Sequence, residues 1–106
     1  MNNHKNFEVH CQETASNLLN DINTYFRIEP PKEKYDGQEI NRQTGDFHFW
    51  FTVGLPKGDG FKIVELRFVI FRHRPDEIQY ANESFLYEDD TVGLISKIEK
   101  INRLTS

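Results

Sequence analysis

A chain of 106 residues has room for one hydrophobic core, and a domain of this length folds without disulfide staples. The single cysteine, Cys11, excludes an intrachain disulfide, and no apolar run approaches the ~18 residues of a membrane span. A net charge of −4 disfavours indiscriminate binding to nucleic acid, which needs a basic surface.

The polar N-terminal stretch, residues 1–12, lacks the apolar core of a secretory signal, so the expectation is a cytoplasmic protein. Nine Phe, four Tyr and one Trp carry much of the apolar content, which favours a sheet over a small bundle. The charge is unevenly distributed. Lys62, Arg67, Arg72 and Arg74 make residues 62–74 basic, and residues 76–90 hold six carboxylates and no base.

In chain order, Cys11, Ala15, Leu18, Leu19, Ile22, Tyr25 and Phe26 recur at three-and-four spacing, predicting an amphipathic helix over 11–27 that Phe7 and Val9 extend by a turn. Pro30-Pro31 closes it. Residues 32–45 are polar, with a short edge strand expected at Gln38–Arg42.

Two alternating segments follow. Phe47, Phe49, Phe51 and Val53 share one face of the first, with His48, Trp50 and Thr52 on the other. Val64, Leu66, Phe68 and Ile70 share one face of the second, opposite Ile63, Glu65, Arg67, Val69 and Phe71. Leu55–Gly60 lies between them and reads as the turn of an antiparallel hairpin. Both apolar sets must face one core, so paired residues have numbers summing to an odd value. The simplest such register sets Phe51 against Val64, Phe49 against Leu66 and Phe47 against Phe68. It brings Trp50 beside Glu65 and His48 beside Arg67.

Residues 78–87 alternate less cleanly and predict a fourth strand, bulged near Asn82. Val92, Leu94, Ile95, Ile98, Ile101 and Leu104 predict a second helix, with Asp89, Asp90 and Thr91 at its start and Lys97, Lys100 and Arg103 in its later turns. The expected fold is a single α+β domain over 1–106 in the order α-β-β-β-β-α. A meander of three or four antiparallel strands carries both helices on one face. The other face is left to water or to a partner.

Constellations that carry chemistry are absent from the pattern. His4, His10, His48 and His73 lack metal-ligand spacing, and Cys11 has no CxxC partner, so no metal, cofactor or catalytic residue is expected. His10 and Cys11 are neighbours on a helix, about 100° apart, too divergent to share a proton easily. The Gly54–Gly60 segment has a strand after it where a phosphate loop needs a helix. Glu88-Asp89-Asp90 sits where a helix start favours negative charge. One enzyme reading survives, with His48 and Glu65 as an acid–base pair across the hairpin.

The expectation is a non-enzymatic protein-binding module, an inhibitor or immunity-type protein of microbial or phage origin acting on a toxin, nuclease or defence effector. His48, Trp50, Glu65, Arg67 and Phe71 on the open sheet face would dock, because aromatic and arginine side chains together resemble interface hot spots. The acidic residues Glu83, Glu88, Asp89 and Asp90 would engage a basic surface. A second copy of the chain is a further candidate for the same face. The alternative is a nucleic-acid-binding module using Arg72, Arg74, Lys97, Lys100 and Arg103. With the short strand omitted, the α-β-β-β-α order resembles the double-stranded-RNA-binding domain. That family's last helix opens with a lysine-rich motif, and Glu88-Asp89-Asp90-Thr91 stands at that place here.

Overall fold

The computed structural model describes residues 3–104, and side chains from residue 6 to residue 104; His4 lies outside the described side chains. Helix α1 spans Asn3–Phe26, followed by strands β1 (Gly37–Ile40), β2 (Phe47–Lys57), β3 (Gly60–Ile70), β4 (Glu77–Tyr80) and β5 (Glu83–Leu86), and helix α2 (Thr91–Ile101). The five strands form one antiparallel sheet in sequence order, so every neighbour is joined by a hairpin or a short loop. The two-layer α+β architecture is as expected, with five strands where three or four were predicted.

The core forms where the faces predict it. Phe47, Phe49, Phe51, Val53, Leu66, Phe68 and Ile70 are buried together with Cys11, Ala15, Leu18, Leu19 and Ile22 of α1 and Leu94, Ile95 and Ile98 of α2. The cross-strand partners Phe49 and Phe68 stack with ring centroids 5.0 Å apart, and Phe51 and Tyr80 flank Phe68 at 5.7 and 5.3 Å. Trp50 lies on the opposite sheet face from Phe49, as the alternation requires.

The hairpin register differs from the simplest expectation by two residues. Phe51 pairs with Leu66, Phe49 with Phe68 and Phe47 with Ile70, and the odd sum is kept, so no side chain changes face. The cause is the turn. The strands continue through Leu55 and Pro56 to Lys57 and Gly60, leaving Gly58-Asp59 as a two-residue connection. Gly58 has φ 58°, the positive value a type II′ turn demands at its first central position. The predicted register would put Lys57 there, where a side chain is strained. The flanking Lys57–Gly60 pair is the hydrogen-bonded one, so Pro56 turns its nitrogen to the open edge, beyond the reach of β1.

The predicted single strand over 78–87 is a second hairpin. Tyr80 pairs with Glu83 around Ala81-Asn82, whose φ values of 50° and 66° are those of a type I′ turn. Asn82 marks this reversal instead of a bulge.

Each helix ends in the same way. The Arg27 and Ile28 amides bond to the Thr24 and Asn23 carbonyls, and the Arg103 and Leu104 amides to those of Lys100 and Glu99. Both are Schellman closures with an arginine in the left-handed region, at φ 54° and 56°, where glycine is usual. Helix α1 therefore stops at Phe26 through its own cap, before the prolines are reached. Arg27→Gly is expected to raise stability by about 0.5–1 kcal/mol, since the relief of left-handed strain exceeds the added chain entropy. A lower midpoint in urea would contradict it.

Asn23 ties the following segment down. Its Nδ2 donates to the Lys32 carbonyl (2.8 Å) and its Oδ1 accepts from the Lys32 amide (3.0 Å). At α2, Asp90 is the N-cap, accepting from the Gly93 amide, and Lys62 Nζ donates to the Asn102 carbonyl at the other end (2.7 Å). Both charges match the helix dipole.

Cys11 is fully buried, and burial, reinforced by Glu8, pushes its thiol up to about 12. Ellman's reagent is expected to label it only after unfolding; rapid labelling of the native protein would contradict this packing.

Candidate docking face

The sheet face turned away from the helices is built on β2 and β3. Its rows, set by the observed register, are Pro56–Phe61, Gly54–Ile63, Thr52–Glu65, Trp50–Arg67 and His48–Val69. The predicted neighbours are corrected accordingly: Trp50 lies beside Arg67 instead of Glu65, and His48 beside Val69 instead of Arg67. His48 and Glu65 are two rows apart, roughly 13 Å along the strands. They form no acid–base pair.

Trp50 is held from two sides. The Arg67 guanidinium lies 5.0 Å from its ring centroid, and a side chain at Gly37 of β1 would overlap the indole. Arg67 in turn donates to Glu65. The 29–45 segment thus supplies partial cover: it pairs along the edge of β2 and leaves the indole half-buried. Phe71 is also half-buried, under the Arg74 guanidinium at 5.2 Å.

Beyond Trp50 the face becomes apolar and open. Phe61 is 72% and Ile63 70% exposed, with Gly54 and Pro56 beside them. These side chains point away from the core because they share the odd-numbered face of β3 with Glu65 and Arg67. Placing the turn at Leu55–Gly60 hides this end of the face in the sequence. The cue is Phe61 itself, in phase with Ile63.

Segment 32–36 is anchored to the same strand. Asp36 Oδ2 accepts from the Thr52 amide (2.6 Å) and Oδ1 pairs with Lys32 Nζ (2.8 Å). The hydrogen bond from Lys32, then that from the Thr52 amide, holds the Asp36 carboxyl below its ordinary range. A depressed folded-state value adds stability above the unfolded carboxylate pKa, about 3.9, and loses it as pH falls through the lower folded value. Asp36→Asn is expected to be less stable at neutral pH by under about 1 kcal/mol, the group being exposed, with the difference closing below about pH 4. A constant difference down to acid pH would contradict this.

The acidic candidates lie elsewhere. Glu83 faces the helix layer and pairs with Lys97 at 3.1 Å, Asp90 is occupied as the α2 cap, and Glu88 and Asp89 are exposed at the β5–α2 junction. Glu88 and Asp89 line a groove with Glu13 of α1 and Asp76, while His10 Nε2 donates to the Pro75 carbonyl at 2.7 Å. Glu13 and Asp76 were not legible as part of this cluster, because only the packing of α1 brings them there. Among the described residues no group of three or more His, Cys, Asp and Glu is arranged to hold a metal ion.

The basic alternative set is divided. Arg72 lies over Phe7, and Arg74 over Phe71 and 3.6 Å from Glu77, at the end where β3 leaves the sheet. Lys100 and Arg103 stand at the far end of α2, beyond the Lys97–Glu83 pair. Arg72 and Arg74 follow β3, whereas Lys97, Lys100 and Arg103 lie on and just past α2.

Among the described residues no helix is long and apolar enough to cross a membrane. Comparison of the chain with protein-family models, with curated proteins and with solved structures finds no match.

Proposed function

We propose that this chain is a non-enzymatic protein-binding module that docks through the outer face of β2 and β3, in the manner of a small inhibitor or immunity-type protein. The observation that supports the reading most is the exposure of Phe61 and Ile63 in line with the Trp50–Arg67 stack. Burying two such side chains contributes roughly 1.5–3 kcal/mol each. A rigid aromatic–arginine pair beside them is the composition that dominates protein interfaces. The acidic groove at Glu88 and Asp89 lies on the helix side and offers a second, electrostatic contact that steers a basic partner.

The test is affinity capture from the source cell with Trp50→Ala/Arg67→Ala beside the parent chain. The double variant is expected to lose the captured protein, while Lys100→Ala/Arg103→Ala, on the helix layer, keeps it. Equal recovery by both variants overturns the proposed face. A low-salt anisotropy titration with duplex DNA or RNA addresses the nucleic-acid reading, since phosphate-driven binding must weaken steeply as salt rises.

A further inference from the structure

We infer that the occupant of the outer face, in the absence of another protein, is a second copy of this chain, packed face to face with its strands antiparallel. The inference rests on the docking reading above and names the partner. Along β3 the outward side chains read Phe61, Ile63, Glu65, Arg67 and Val69, with Phe71 just past the strand end beneath Arg74, so apolar residues flank an acid and a base on both sides. That series is complementary to its own reverse. A two-fold axis lying between two such sheets, perpendicular to β3 at the midpoint of Glu65 and Arg67, sets Glu65 against Arg67 of the second copy. The same axis sets Ile63 against Val69, and leaves no like charges opposed.

The same operation keeps β2 above β2 and tests the match independently. It lays Trp50 over Thr52 of the second copy and His48 over Gly54, large against small in both cases. Aligned sheets pack in this way at ~10 Å separation with a ~30° rotation from their twist. The area suits a weak dimer: β2 and β3 at about 33 Å and the four-residue β1 and β4, at ~4.8 Å spacing, give on the order of 400 Å² of projected face, about half the ~800 Å² per partner of a stable interface. An isologous contact of this kind closes at the dimer.

Sedimentation equilibrium on the parent chain and two charge variants is decisive. Glu65→Arg presents two bases and Arg67→Glu two acids, at positions whose side chains are 46% and 65% exposed and so tolerant of exchange. The parent is expected to dimerise below about 100 μM, each variant alone to bind itself roughly tenfold or more weakly, and the equimolar mixture to recover a heterodimer. In a Cys11→Ala background, a short bismaleimide is expected to join Ile63→Cys to Val69→Cys across the mixture, and neither variant to itself. A parent that stays monomeric, single variants that dimerise as well as the parent, or a mixture without recovery each overturns the inference. A monomeric parent whose captured partner still depends on Trp50 and Arg67 removes the second copy alone. Loss of that capture dependence removes the docking reading itself.

Discussion

Phe68→Ala is expected to lower stability by about 3–5 kcal/mol, against roughly 5–15 kcal/mol for a whole domain, leaving the variant near its unfolding threshold at room temperature. Phe68 is 1% exposed and sits at the centre of the aromatic cluster, in contact with Phe49, Phe51 and Tyr80. Those neighbours come from the two strands on either side, β2 and β4, and are fixed by backbone pairing, so they cannot collapse into the space left behind. Seven residues earlier on the same strand, Phe61 is largely exposed on the opposite face, and Phe61→Ala should change stability by no more than about 0.5 kcal/mol. Urea unfolding of the two variants checks the pair. Similar losses for both would mean that Phe61 is covered, and the outer face would cease to be available.

Gly37→Val has the second-largest expected effect, a loss of about 1–3 kcal/mol, although valine favours strands over glycine. Gly37 pairs with Trp50, and the indole occupies the space a Cβ would take. The variant must swing Trp50 off β1 or detach β1 from β2, and either movement exposes the ring. Trp50 is the only tryptophan, so the displacement reads out directly as a red shift of the emission maximum. Because Trp50 also carries the Arg67 stack, the same variant should weaken capture of the protein partner. Unchanged emission and unchanged thermal midpoint would show that the indole does not rest on this glycine.

What could be read from the sequence, and what could not, divides along physical lines. The faces of β2 and β3 were legible because alternation over nearly a dozen residues is a strong signal and a one-residue slip would expose every phenylalanine. The register was not, because Leu55–Gly60 offers several reversals and the choice between Lys57-Gly58 and Gly58-Asp59 slides the pairing by two residues. That slide decided which side chains meet: Trp50 gained Arg67, and His48 and Glu65 moved apart. The β4–β5 hairpin was hidden because its type I′ turn is made by Ala81 and Asn82, with no glycine to announce it. The helix ends carry the same disguise in Arg27 and Arg103.

For the candidate site, Trp50, Arg67, Glu65 and His48 share one outer face as the alternation implies. The acidic residues do not join them. Glu83 has the parity of Phe85 and so turns to the helix layer, and Asp90 is consumed as a cap. Phe61, the most exposed phenylalanine of the hairpin, opens the second alternating segment, and its place on the face depends on β2 running on through its partner Pro56, inside the expected turn.

Thiol labelling along β3 tests the layered arrangement most directly. Single cysteines at positions 61 to 70, in a Cys11→Ala background and at concentrations too low for self-association, are reacted with a maleimide and their rates compared with a free thiol. Two-residue periodicity is expected: Phe61→Cys, Ile63→Cys, Glu65→Cys and Arg67→Cys react nearly as fast as the free thiol, while Val64→Cys, Leu66→Cys and Ile70→Cys are protected by roughly a hundredfold or more. Protection of the odd-numbered positions, or no alternation at all, would contradict a sheet that hides one side beneath its helices and presents the other.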